Sequence, residues 1–159
     1  MIYLLSKDFR QSCDGLCDQH LNESIVDACM CVSYYLWIFE SSRVAFDAAK
    51  FFNNKKKSHT SSEIYRAFYP ISSKKDLYDW VVKSPSNYTF LVTYLEYLVQ
   101  EYRYRHQEIH KVVHILECIP KFKFEQIADS YVIDSRIEAC KDLYNEPKSH
   151  WKWTNRDSE

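Results

Sequence analysis

His20 and Asp27 are seven residues apart, the spacing that puts two side chains on one face of an α-helix about two turns from each other. Asp18 and Glu23 add two more titratable groups to the same stretch. A carboxylate in such a set can act as an acid, a base or a stabiliser of positive charge if it lines a cleft. The polar side of a solvated helix accounts for the same residues without any function.

Two other clusters have the residue types of a metal site. Cys13, Cys17 and His20, at i, i+4 and i+7, would place three soft donors on one helical face, as zinc uses them. Gly15 in the middle and the lack of a clear fourth ligand favour the plainer reading, in which the cysteines are small core residues. His106, His110 and His114 repeat at steps of four, but no HExxH pattern or carboxylate pair completes a catalytic centre. The sequence therefore implies neither a metal nor a cofactor.

Basic and aromatic residues interleave in Tyr102-Arg103-Tyr104-Arg105-His106 and again in Trp151-Lys152-Trp153. Aromatic rings offer stacking faces for bases, and arginine offers a fork for phosphate. Arg103, Arg105 and Lys152 are thus candidate DNA contacts, with Tyr102, Trp151 and Trp153 as candidate aromatic platforms. Tyr102 and Arg105 also fall in phase with an apolar stripe, which suits interior packing. A third basic feature is Lys55-Lys56-Lys57. Residues 50–83 carry eight basic and three acidic side chains, against three and seven in residues 1–49. Phosphate contacts made there would be strongly salt-dependent, whereas a solvated loop explains the same run without a partner.

Helices must position these groups. Leu21, Ile25, Cys29, Val32, Leu36 and Phe39 recur every three or four residues and predict a long helix from Leu16 to about Phe39. Asp8 reads as an N-cap for a short helix before it, interrupted at Gly15. A second long helix follows Ser84-Pro85, with Asn87 as its cap and Leu91, Tyr94, Leu95, Leu98, Tyr102 and Arg105 along one side. Helical spacing continues through Ile109 and Leu116, with or without a break near His106. Shorter helices are expected at 42–52, from Thr60 (capping-box spacing to Glu63) to Pro70, at 72–83 and at 134–144. Residues 53–62 read as a mobile loop and 147–159 as an aromatic C-terminal segment.

With 159 residues, 46% of them apolar, the chain can build one core and is too short to expect two. One glycine and four prolines leave few sites for tight hairpins, so a single compact all-α domain is expected, with two long helices and several short ones. No apolar run approaches a membrane span, and the start MIYLLSKDF is too short in apolar residues for a signal peptide. The expectation is an intracellular protein, cytoplasmic or nuclear, with reduced cysteines.

Met1-Ile2-Tyr3-Leu4, Asp8, Leu16-Cys17-Asp18-Gln19-His20-Leu21 and Asp27 are similar to the start of a family of small phage and large-virus proteins. Trp80, Asn87-Tyr88, Glu101-Tyr102-x-Tyr104-Arg105, His110, Ile137-Glu138-Ala139 and Lys148 follow in the same order. That family distantly resembles the endonuclease V-type pyrimidine-dimer DNA glycosylases of tailed phages. The shared pieces are the Asp-Gln-His-Leu segment with its carboxylate seven residues after the histidine, the region of Ile119-Pro120 and Phe124, and the lysine-containing aromatic cluster.

The resemblance implies an all-α DNA repair enzyme, a glycosylase with lyase activity that works through an imine. Asp27 takes the place of the catalytic carboxylate and His20 that of its partner, with Glu23 as the alternative carboxylate. The nucleophile implied is the amine of a small N-terminal residue exposed by methionine removal, whereas Ile2 is bulky and leaves Met1 in place. A chain with this fold but without the chemistry would be a binding module for a nucleotide-like ligand or a partner protein.

Overall fold

The computed structural model describes residues 1–40, 75–110 and 134–156. Five helices and no strands occur among them. These are α1 (Phe9–Gly15), α2 (Asp18–Glu40), α3 (Lys75–Lys83), α4 (Pro85–His106) and α5 (Asp134–Tyr144). The expected helices at 42–52 and 60–70, the loop 53–62 with Lys55, Lys56 and Lys57, and the helical spacing beyond His110 lie outside the described residues. No helix among the described residues is long and apolar enough to cross a membrane.

Local chemistry sets the ends of these elements. Asp8 caps α1 by accepting the Gln11 N–H, and the helix stops where Leu16 turns extended. The cap of α4 is Ser84 rather than Asn87. Its hydroxyl accepts the Asn87 N–H at 3.1 Å, and Pro85 fills the first helical position, where no N–H is needed. Asn87 faces the other way: its amide donates to the Trp80 carbonyl at 2.7 Å, satisfying an end group of α3 across the turn. α4 ends at Gln107, which adopts a left-handed conformation (φ 57°) and donates its N–H to the Arg103 carbonyl. The break separates His106 from His110, so the three-histidine face of a continuous helix does not form.

α2 and α4 are the two long helices, and they pack along each other, with α3 against both and α1 against α4. One apolar cluster takes side chains from all five helices and from Ile2, Tyr3 and Leu4. Aromatic rings do much of the joining. Phe9 of α1 meets Phe90, Tyr94 and Tyr97 of α4 with centroids 5.1–5.6 Å apart, and Tyr34 of α2 stacks on Tyr78 of α3 at 4.8 Å. Cys13, Cys17, Cys29, Cys31 and Cys140 are buried thiols.

Residues 1–6 run irregularly into this core, so their backbone groups need partners other than a ladder. Side chains supply them. Ser24 accepts the Tyr3 N–H at 2.9 Å, and Ser12 accepts the Leu5 N–H at 2.8 Å. The Tyr94 hydroxyl donates to the Tyr3 carbonyl at 2.7 Å, so the Ser12 hydroxyl, 2.8 Å away, must donate to Tyr94. The result is a one-way relay from Leu5 N–H through Ser12 and Tyr94 to the Tyr3 carbonyl.

Tyr94→Phe removes the middle of that relay and leaves the Ser12 hydroxyl and the Tyr3 carbonyl buried without this partner. We expect a loss of about 1–3 kcal/mol, read from a lower urea midpoint at unchanged slope.

Candidate functional site

The relay delivers the amino end of the chain to α2. The Met1 ammonium forms an ion pair with the Asp27 carboxylate, and the two ends of the pair differ in exposure: 63% for Met1 and 7% for the Asp27 side chain. The Met1 side chain thus lies at the surface, while the carboxylate that pairs with its ammonium is held in the protein. His20, Ser24 and Asp27 all lie on the buried side of α2, whereas Gln19 and Asn22 are exposed. A solvated helix face does not describe His20 or Asp27.

His20 is fixed on several sides. Tyr3 stacks on its ring at 4.0 Å, and Trp151 meets it edge-on at 4.8 Å. Its Nδ1 is 2.7 Å from the Tyr144 hydroxyl, which also accepts the Cys17 N–H at 2.9 Å. Burial holds the Tyr144 phenol above its ordinary range, so it keeps its proton. The phenol and Nδ1 share one hydrogen bond in which either group can donate, according to the imidazole tautomer. Burial also holds the His20 imidazole below its ordinary range. Glu23 opposes this, and the charges of Lys148 and the terminal amine add to it. Glu23 accepts from the Tyr3 hydroxyl at 3.1 Å and from the Gln19 amide at 3.2 Å.

The basic and aromatic candidates divide. Arg105 is not placed to touch phosphate, because its guanidinium is buried and committed internally. It bonds Glu101 at 2.8 Å, Asp18 at 3.1 Å, and the carbonyls of Cys13 and Asp14 at 3.0 and 3.2 Å. Its phase on the apolar stripe of α4 had pointed inward. Arg103 and Lys152 are exposed. Tyr102 is half-buried, donates to Glu108 at 3.3 Å and packs on His106 and His110. Trp151 is buried against His20, and the Trp153 indole donates to the Gly15 carbonyl at 2.9 Å, so both anchor the segment rather than present an open platform.

That segment holds itself down through polar contacts that sequence spacing does not reveal. The Lys152 carbonyl accepts the Asp18 N–H at 2.8 Å, capping α2 from a distant part of the chain. The Asp18 carboxylate takes the Thr154 N–H and hydroxyl, and Arg156 bonds Glu101 at 2.7 and 2.9 Å. Burial works against the charges of Asp18 and Glu101, yet these bonds hold both carboxyls below their ordinary range. Burial and Glu101 push Asp14 the other way.

Sequence spacing brought together His20, Glu23 and Asp27 but missed Ser24, Tyr94 and Tyr144, hydroxyls set in apolar stripes. The proposed zinc face of Cys13, Cys17 and His20 is broken by the turn at Leu16, and no group of three or more His, Cys, Asp or Glu among the described residues could hold a metal ion. No known family model, curated protein or solved structure matches the chain.

Because the folded His20 resists protonation, the unfolded chain binds the extra proton as pH falls below about 6.5, the ordinary value for histidine. Stability should therefore decline from that pH downward. His20→Gln should flatten this part of a melting-temperature profile taken between pH 7.5 and 5, the range about the histidine value; an unchanged slope would remove His20 from the account.

Proposed function

We propose that the chain is a DNA repair-type protein, a glycosylase with lyase activity whose nucleophile is the amine of Met1. The observation that carries this reading is the Met1–Asp27 ion pair, a terminal amine held against a buried carboxylate, with the imidazole of His20 nearby. The resemblance of the Asp-Gln-His-Leu segment and Asp27 to the endonuclease V-type enzymes supports it.

In the step this arrangement suits, the amine nitrogen forms a bond to C1′ of a deoxyribose, and the bond from C1′ to the base breaks with its electron pair on the base. Opening of the sugar ring at O4′ then leaves an iminium ion. Counted from the ammonium, one proton ends on the base and one on O4′, and the iminium keeps the charge that faces Asp27. His20 is placed to carry a proton, and Asp27 stabilises the cation throughout. Arg103 and Lys152, with Lys55, Lys56 and Lys57 from the sequence, are the phosphate contacts of this reading.

The test uses duplexes bearing an abasic site or a pyrimidine dimer, with borohydride present to reduce an imine to a stable amine. A covalent adduct mapped to Met1 by mass spectrometry is the expected result. Asp27→Asn should lower its yield by about 10²-fold or more, with a circular-dichroism spectrum that matches the unaltered protein confirming that the variant is folded. An adduct elsewhere would move the nucleophile away from Met1; no adduct, together with salt-insensitive retention, would replace this reading with that of a non-catalytic binding module.

A further inference from the structure

Resting on the Met1 reading, we propose that Lys148 is the phosphate anchor of this site, gripping the nucleotide whose sugar meets the amine. Three observations converge on it.

First, the backbone around Lys148 is built in. Its carbonyl accepts the Trp151 N–H at 3.1 Å, closing a turn, and the next carbonyl after Trp151, that of Lys152, accepts the Asp18 N–H at 2.8 Å. Between these two bonds Trp151 is buried edge-on against His20. The turn is thereby fixed beside the imidazole while the Lys148 side chain stays exposed.

Second, among the described residues the charges of Lys148 and of the Met1 amine both act against protonation of His20, in keeping with the turn's place beside the imidazole. One of them is occupied by Asp27. The other belongs to an exposed side chain that an anion brought by the substrate can reach.

Third, among the described residues the arginines beside this site are committed elsewhere, which leaves the exposed lysines of the C-terminal segment, Lys148 and Lys152, and of these Lys148 acts on His20. The sequence from Gln11 to Ser42 contains no lysine or arginine, so α2 offers no cation, and its exposed residues here are Gln19 and Asn22. Arg105 and Arg156 are turned to Asp14, Asp18 and Glu101. A lysine suits the task, because its compact ammonium accepts phosphate from several directions without the fixed approach an arginine fork requires.

Two substrates separate the anchor from the chemistry. Borohydride trapping is run with a single-stranded oligonucleotide carrying an abasic site and with 2-deoxyribose, a sugar aldehyde that has no phosphate. Lys148→Ala and Lys148→Glu should cut the oligonucleotide adduct by about tenfold, leave the 2-deoxyribose adduct unchanged, and flatten the salt dependence of binding to a tetrahydrofuran-containing strand by about 0.7 in log–log slope. Lys148→Arg should restore the oligonucleotide adduct. An oligonucleotide adduct that does not change overturns the anchor. Equal loss with both substrates also overturns it, because Lys148 would then act on the amine rather than on phosphate. Absence of both adducts in the unaltered protein overturns the Met1 reading itself, and the anchor with it.

Discussion

A guanidinium without exposure to water sits where α1, α4 and the C-terminal segment meet, and the placement of the candidate site depends on it. Arg105 comes from the last turn of α4, yet it bonds two carbonyls at the end of α1 and the Asp18 carboxylate at the start of α2. Through Glu101 it is coupled to Arg156, and through Asp18 to Thr154. A buried charge is tolerable only when its hydrogen-bonding positions are met, and here carboxylates and carbonyls meet them. Two cations face three carboxyls, and the excess negative charge is eased because Asp14 is pushed toward keeping its proton. The same contacts that neutralise Arg105 hold Trp151 on His20.

The second constraint is backbone accounting at residues 1–6. An irregular segment entering a core would leave unpaired amides and carbonyls, each a substantial cost. Ser12, Ser24 and Tyr94 remove that cost with side-chain hydroxyls from three different helices. This gives the amino end a defined seat without regular structure of its own. An amine on a freely moving end would spend little time near any one carboxylate; seated in this way, that of Met1 stays beside Asp27.

The helices were largely legible in the sequence, because their signals are local. Asp8 caps α1, the apolar repeat defines α2 nearly to its ends, and the last helix spans the predicted residues. The one misplaced cap shows the limit of local reading: Ser84 and Asn87 are both good capping residues three positions apart, and the proline at 85 decides between them. His20 and Asp27 could be paired from helical phase, but no periodicity links Met1 to Asp27, Tyr144 to His20 or Lys152 to Asp18. Those contacts join parts of the chain that only tertiary packing brings together. Arg105 was legible in part, since its phase placed it on the interior side, while its residue type pointed to a ligand.

The order in which a ribosome releases the chain gives the Arg105 cluster a temporal meaning. Glu101 and Asp18 emerge well before Thr154 and Arg156, so for most of synthesis these carboxylates face only part of their final complement of positive and hydrogen-bonding groups. The amide at the start of α2 likewise waits for Lys152. The nascent chain can collapse around α2 and α4, but the corner beside His20 stays unlatched until residues 151–156 arrive. Closure of this corner therefore waits on residues 151–156, and a chain cut before Trp151 would lack the indole wall beside the imidazole.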